Sequence, residues 1–341
     1  MRVAMYYNNN DIRIQEMPVP KIGDGEILVK VHASGICGSD VMEWYRIKKA
    51  PLVLGHEIAG EIAEIGKNVK GYKAGDRVFV SHHVPCNECK YCRDEHHTAC
   101  HTLHTTNFDP GGFSEYLRVP EINMKCGVFK LPDSVTYDEG SFIEPLGCVI
   151  RGQKKAGFKQ GQTVLILGAG ISGLLHVLLT KAQGAGKIIV TDINEYRLKC
   201  AKKLGADYCL SAKEDIAEFV KKVNNGFLAD LVIVCAGAMS AFEQALKSVD
   251  SGGKVLCFAT TKPGENLSLP LNDFWRNEIT MLPSYAAAPE DINTAIELLK
   301  DKKIDVTKMI THKLPLKDTA LGFKLTAEGK ESLKVIIEPQ K

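Results

Sequence analysis

The chain has 341 residues, 45% of them hydrophobic and 25% charged, with a formal net charge of +2. That is the composition of a soluble globular protein long enough for two hydrophobic cores. No basic run, repeat or low-complexity segment points to nucleic acid or an anionic membrane, and no apolar run reaches spanning length. The start, Met1-Arg2-Val3-Ala4-Met5-Tyr6-Tyr7, lacks a signal-peptide core, so the expected compartment is the cytoplasm. There, eleven cysteines read as metal ligands or small buried hydrophobes before they read as disulfides.

Residues 1 to about 140 read as short β segments broken by Gly, Pro and Asn turns, clearest at 26–31, 60–65, 76–80 and 113–119. Cys37 follows the first of these in Gly35-Ile36-Cys37-Gly38-Ser39-Asp40, where flanking glycines let the loop turn a thiolate toward a metal. Asp40 is near enough to stand behind such a ligand, or it simply forms the turn. Leu54-Gly55-His56-Glu57 and Phe142-Ile143-Glu144-Pro145 add an imidazole and two carboxylates. One thiolate, one imidazole and one or two carboxylates suit a catalytic zinc with an open position. On residue type alone, a polar His-Glu pair at a strand end and a turn-capping Glu144 remain open.

Between them lies Pro85-Cys86-Asn87-Glu88-Cys89-Lys90-Tyr91-Cys92, followed by Cys100. The spacing C-x2-C-x2-C-x7-C suits one tetrahedral all-thiolate zinc closing a polar loop. An iron-sulfur cluster competes, but its fourth cysteine comes sooner and is commonly followed by proline, whereas His101 follows Cys100. The neighbouring His82, His83, His96, His97, His101 and His104 are expected to be solvated loop residues, because four thiolates already saturate a zinc.

The stretch 151–162 reads as a polar connection, after which the texture changes. Thr163-Val164-Leu165-Ile166-Leu167 is a strand buried on both faces, and Gly168-Ala169-Gly170-Ile171-Ser172-Gly173 follows at once. Leu174, Leu175, Leu178, Leu179 and Ala182 then recur at helical spacing, so strand, glycine turn and helix stand in the order of a dinucleotide fold. The next strand ends at Asp192, whose carboxylate is placed for an adenosine ribose hydroxyl and against the phosphate of NADP. Arg197 lies five residues on and can reach a 2′-phosphate, the adenine edge or Asp192 itself. Alternating helices and strands continue, with Gly237 after the strand 230–234, and the last strand at 333–337. The pattern is α/β, a doubly wound parallel sheet behind a β-rich first domain.

Gly55-His56-Glu57-Ile58-Ala59-Gly60, continuing to Gly66 and Val69, the four-cysteine lobe and the glycine turn together resemble the zinc-dependent medium-chain alcohol dehydrogenases. Glu57, Glu144 and Phe274-Trp275-Arg276-Asn277-Glu278 resemble the polyol branch, with sorbitol and threonine dehydrogenases. The resemblance implies a GroES-like catalytic domain at 1–150 and 284–341 with a Rossmann NAD-binding domain inserted at 151–283, the cleft lying between them. It implies two zinc ions: a catalytic one on Cys37 and His56, with Glu57 and Glu144 sharing the third position, and a structural one on Cys86, Cys89, Cys92 and Cys100. It implies that Asp40 orients His56 and that Ser39 is the first member of a proton relay. The relay usually ends on a histidine where this chain has Met42, leaving Glu43, water or bulk solvent to finish it. Gly168, Gly170, Ile171, Ser172, Gly173, Asp192, Arg197 and Gly237 form the expected cofactor set, with NAD the expected cofactor. The expected reaction takes a secondary alcohol of a polyol, sugar alcohol or cyclitol to a ketone. An amino-alcohol dehydrogenase and a physiological carbonyl reductase are the near alternatives, and a non-catalytic nucleotide-binding protein the remote one. The expected partners are a small-molecule alcohol and other copies of the chain, as a homodimer or homotetramer, with neither nucleic acid nor membrane.

Overall fold

The computed structural model describes residues 1–341 as two compact units, Met1–Gly147 with Ala286–Lys341, and Cys148–Tyr285. The first is β-rich. Its larger sheet is centred on the strand Ile27–Gly35, which pairs antiparallel with Glu57–Ile65, Tyr116–Val119 and the C-terminal strand Lys334–Glu338. The chain therefore returns after residue 286 to complete the sheet it began. Ile27, Val29, Val31, Ile58, Ile62, Val78, Val80 and Leu117 alternate inward and form its core.

Two of these strands run further than their apolar pattern. The strand expected at 26–31 extends to Gly35, and the one expected at 60–65 begins at Glu57. The added residues His32-Ala33-Ser34-Gly35 carry little β propensity, but pairing through Gly35↔Glu57 and Ile336↔Gly35 supplies the ladder that propensity does not. The consequence is positional: the ends of three strands converge, bringing Gly35, Glu57 and Lys334 together.

The second unit is a six-stranded, all-parallel sheet in the order Tyr208–Ser211, Lys187–Asp192, Thr163–Leu167, Ala229–Val234, Val249–Cys257, Thr280–Pro283. Numbered along the unit, that is 3-2-1-4-5-6, the doubly wound order in which ligands bind where the strand order reverses. Thr163–Leu167 is buried throughout, as a strand covered on both faces must be. The helix Glu195–Leu204 follows the second of these strands, capped by the Asn194 side chain.

The polar stretch 151–162 is not a plain connection. Residues Ile143–Ala156 form a helix, and Arg151 and Gln153 are buried on it: Gln153 is 1% exposed and donates to Thr180 at 2.9 Å, beside the His176 ring nitrogen at 3.0 Å. Burial lowers the His176 pKa to about 3, so the ring stays neutral. Pattern reading failed here because the buried face is polar and finds its partners on another helix.

Candidate metal centres and nucleotide loop

The four cysteines at 86, 89, 92 and 100 come together in a lobe of short helices whose only buried neighbour besides Cys92 and Cys100 is Leu103. The sulfurs of Cys89 and Cys92 lie 3.6 Å apart, those of Cys100 and Cys86 3.6 Å, and those of Cys86 and Cys92 3.9 Å. Four sulfurs at about 2.3 Å from a tetrahedral zinc stand about 3.8 Å from one another, so the set fits zinc without rearrangement. Backbone amides already face the sulfurs, Cys86 N–H to Cys100 Sγ at 3.4 Å and Cys89 N–H to Cys86 Sγ at 3.3 Å. Burial acts to raise the Cys100 pKa, but the amides of Cys86 and Leu103 and the neighbouring thiols outweigh it and bring it to about 6. The lobe is polar and thin, so a metal here replaces a hydrophobic core.

The second set is unlike the first. Ligand atoms of Cys37, His56 and Glu57 lie within 4.8 Å of one another. Each is delivered by the fold. Cys37 follows the strand Ile27–Gly35 in a turn closed by Asp40 N–H to Cys37 O at 3.0 Å and Cys37 N–H to Asp40 Oδ2 at 3.0 Å. His56 follows Gly55, at φ +94°, where a Cβ would come within 2.8 Å of the Phe113 nitrogen; only glycine takes that bend beside that backbone. Glu57 opens the paired strand Glu57–Ile65. Cys37 and His56 are half-buried while Glu57 is 1% exposed, so the group is closed at Glu57 and partly accessible at the other two.

Asp40 is fully buried and its Oδ1 stands 3.3 Å from His56 Nδ1, leaving the other ring nitrogen for a metal, the usual carboxylate-histidine arrangement. Burial works against charge on His56, but Asp40 and the Cys37 thiol hold its pKa well above the ordinary value. Burial likewise opposes ionised Asp40, and His56, Arg46 and the Cys37 amide keep its pKa below the ordinary one. The pocket thus calls for positive charge beside Cys37, which a bound cation also satisfies.

Three residues surround this set, two that sequence reading passed over and one that it assigned to solvent. Lys334, at 0% exposure, forms an ion pair with Glu57 Oε2 and lies 5.4 Å from the centre of the Phe142 ring. A Cβ on Gly35 would sit 2.5 Å from the Lys334 Cε, so Gly35 is the space in which the pair closes. One signal was available: a lysine inside the apolar run Leu333-Lys334-Val335-Ile336-Ile337. Arg46, the last residue of the short helix Glu43–Arg46, donates to Ser39, and nothing in its local sequence marks it. His82 was expected in solvent. Its ring instead lies 4.8 Å from that of His56 and 3.7 Å from that of His83. Burial is the main reason its pKa falls well below the usual value, and burial also brings that of His83 to about 3. This corrects the expectation for both residues: they pack as neutral rings beside the site because the chain turns inward after Arg77–Val80. His96, His101 and His104 are exposed. Glu144 lies in the first turn of the helix Ile143–Ala156, half-buried and outside the 4.8 Å set.

In the second unit, Gly168 has φ +104°, and a Cβ on Gly173 would lie 1.9 Å from Gly168 O, so this close turn requires glycine at its last position. Gly170 caps the helix Ile171–Ala182, whose first residues are Ile171 and Ser172. Gly237 follows the strand Ala229–Val234, and a Cβ there would approach Thr260 O to 2.6 Å. Asp192 is 7% exposed, and both its oxygens are engaged, by Ala169 N–H at 2.7 Å and Asn194 N–H at 2.8 Å. It therefore ties the glycine turn to its own strand end, and Arg197 follows in the helix Glu195–Leu204 capped by Asn194.

Comparison with known proteins agrees with this geometry. Residues 23–133 match the alcohol dehydrogenase GroES-like domain and residues 172–301 the zinc-binding dehydrogenase family. Sorbitol dehydrogenase of Bacillus subtilis (strain 168) is 35% identical over 354 residues, spanning 100% of this chain and 98% of the relative. Galactitol-1-phosphate dehydrogenase of Escherichia coli superposes with a TM-score of 0.88 at 26% identity, over 99% of this chain and 100% of that one. A zinc-binding dehydrogenase of Sinorhizobium meliloti 1021, solved with NADP, gives 0.88 at 27% identity over 99% of both chains. With an open mixed site, a thiolate lobe and a dinucleotide turn all in place, the chain belongs to the zinc-dependent medium-chain alcohol dehydrogenases, in their polyol branch, and is an oxidoreductase using zinc and a nicotinamide cofactor on a small-molecule alcohol.

Proposed function

We propose that this protein oxidises a secondary alcohol of a polyol, sugar alcohol or cyclitol to the ketone, with NAD as hydride acceptor. The observation that carries the reading is the convergence of Cys37, His56 and Glu57 within 4.8 Å, three unlike donors with an open face. When bound, zinc supplies a Lewis acid that lowers the hydroxyl's pKa, and the nicotinamide supplies the hydride acceptor. Cys37 and His56 would hold the metal, with Glu57 and Glu144 sharing the third position, and Asp40 fixes the His56 ring. Ser39 Oγ accepts the substrate's proton and its own hydrogen leaves outward. Cys86, Cys89, Cys92 and Cys100 would hold a second zinc that keeps their lobe in shape.

The glycine turn from Gly168 to Gly173, with Ile171 and Ser172 opening the helix, takes the pyrophosphate, and Gly237 lets the cofactor pass close to the backbone. Asp192 favours NAD, because a 2′-phosphate against a held carboxylate costs several kcal/mol; in this reading Arg197 serves the adenine edge. Eleven cysteines, four of them gathered as a thiolate metal set, support a reducing cytoplasmic setting. Self-association as a dimer or tetramer is supported by Leu271 and Trp275, 72% and 76% exposed beside the sheet-edge strand Thr280–Pro283.

The test is initial rates of NAD and NADP reduction with polyols, cyclitols, amino alcohols and simple alcohols. Fastest turnover is expected with a polyol or cyclitol and NAD, NADP being on the order of 100-fold less efficient. Fastest turnover with an amino alcohol overturns the substrate class, and comparable efficiency with NADP overturns the role given to Asp192.

A further inference from the structure

The loop that carries Cys37 is closed by a guanidinium that no step above uses. Arg46 Nε donates to Ser39 O at 3.0 Å, and Arg46 Nη2 donates to Ser39 Oγ at 2.9 Å. The same Nη2 stands 3.5 Å from Asp40 Oδ1, with the arginine side chain only 16% exposed. One planar fork therefore grips two consecutive residues, one assigned above to the substrate's proton and the other to the ring of His56. A guanidinium has five donors, no acceptor, and no accessible neutral form in proteins. Its bond to Ser39 Oγ consequently has one polarity: Arg46 gives and the hydroxyl receives.

We infer that Arg46 is a positioning residue for the alcohol-oxidation step, holding the Ser39 hydroxyl with one lone pair filled so that its other lone pair and its hydrogen serve the incoming and outgoing protons. The inference rests on the function proposed above. A serine hydroxyl offers two lone pairs and one hydrogen. With one lone pair taken by Arg46, the second receives the substrate proton: the substrate O–H bond breaks and an Oγ–H bond forms. The original Oγ–H bond breaks in the same exchange and that proton passes to water. It cannot pass to Arg46, which has no acceptor, nor to Met42, whose thioether is no base at neutral pH. The proton therefore leaves Ser39 away from Arg46 and Met42, to water that Glu43 or bulk solvent drains.

The experiment uses the zinc-loaded full chain and the polyol that the wild-type protein oxidises fastest. Arg46→Met, Arg46→Lys, Ser39→Ala and the double variant Ser39→Ala/Arg46→Met are compared. Arg46→Met is expected to lower kcat roughly 10- to 100-fold, the cost of removing a residue that orients a site, with zinc content unchanged and KM for NAD within about twofold of wild type. In the Ser39→Ala background the same change should alter kcat less than about threefold, because a residue acting through another is silent once that other is gone. Arg46→Lys should recover part of the loss. Independently of turnover, protein labelled with 15N-arginine should show slowed rotation of the Arg46 Nη2 group, released in Ser39→Ala. Wild-type kcat in Arg46→Met, multiplicative losses in the double variant, or freely rotating Nη2 in the wild type each overturn the inference. If Arg46→Met does not fold, Arg46→Lys is cycled against Ser39→Ala by the same criteria. Absence of polyol turnover by the wild type overturns the proposed function instead, and the arginine signal still reads the Arg46–Ser39 bond.

Discussion

The two cysteine-bearing sites solve metal binding in opposite ways. In the lobe at 86–100, four like donors converge, three of their sulfur pairs 3.6 to 3.9 Å apart, fed by backbone amides, with no charged side chain needed behind them. In the set at 37–57, three unlike donors are wrapped by Asp40, Arg46 and Lys334, each engaged with a ligand or with the residue beside it. A closed thiolate site contributes folding free energy and is complete when its ligands are. An open site must hold its donors while leaving room for substrate, so its precision comes from a second layer of charges. The difference predicts that damage to the lobe appears as lost stability, and damage around the open set as lost metal affinity or turnover.

The largest effect should follow Cys89→Ser. Losing one thiolate from a lobe with little other core is expected to cost more than about 4 kcal/mol, within the range of metal-site loss. Thermal unfolding and hydrogen exchange over 86–105 should report it, while kcat per folded molecule stays within about threefold. A stable variant with normal exchange there would erase the contrast between the sites.

Next comes Lys334→Met, which leaves Glu57 charged and buried. Removing one partner of a buried pair costs about 3–5 kcal/mol, and the deficit should be larger in chelator-treated protein than in zinc-loaded protein, because the freed carboxylate then has no cation to face. Melting temperatures measured with and without chelator test this. Equal losses in both states would mean that Glu57 answers to Lys334 alone and not to the metal.

The smallest effect is expected from Asp40→Asn. The side chain keeps its shape and can still accept the Cys37 amide, but it loses the charge that steadies His56. Zinc affinity by competition with a chromogenic chelator should fall about 10- to 100-fold with thermal stability of the lobe unchanged. Unaltered affinity would reduce Asp40 to the turn former that its position in Gly35-Ile36-Cys37-Gly38-Ser39-Asp40 equally allows.

Local spacing was sufficient wherever chemistry is local. The C-x2-C-x2-C-x7-C run had to converge because short turns bring such neighbours within reach of one ion, and the glycine turn had to follow a buried strand because Gly173 would otherwise strike Gly168 O. Cys37, His56 and Glu57 were legible as residue types, and the order of strands and helices from 163 onward followed from apolar periodicity. What the chain order could not disclose was decided by strand pairing and by packing between distant segments. Lys334 meets Glu57 across 277 positions, because the last strand lies beside Ile27–Gly35. His82 and His83 turn inward rather than into solvent, and Gln153 finds Thr180 from a stretch that reads as a plain linker. In each case distant segments decide the burial of a polar group, and for Lys334 and Gln153 they also supply the counterpart that a charge or amide inside a protein requires.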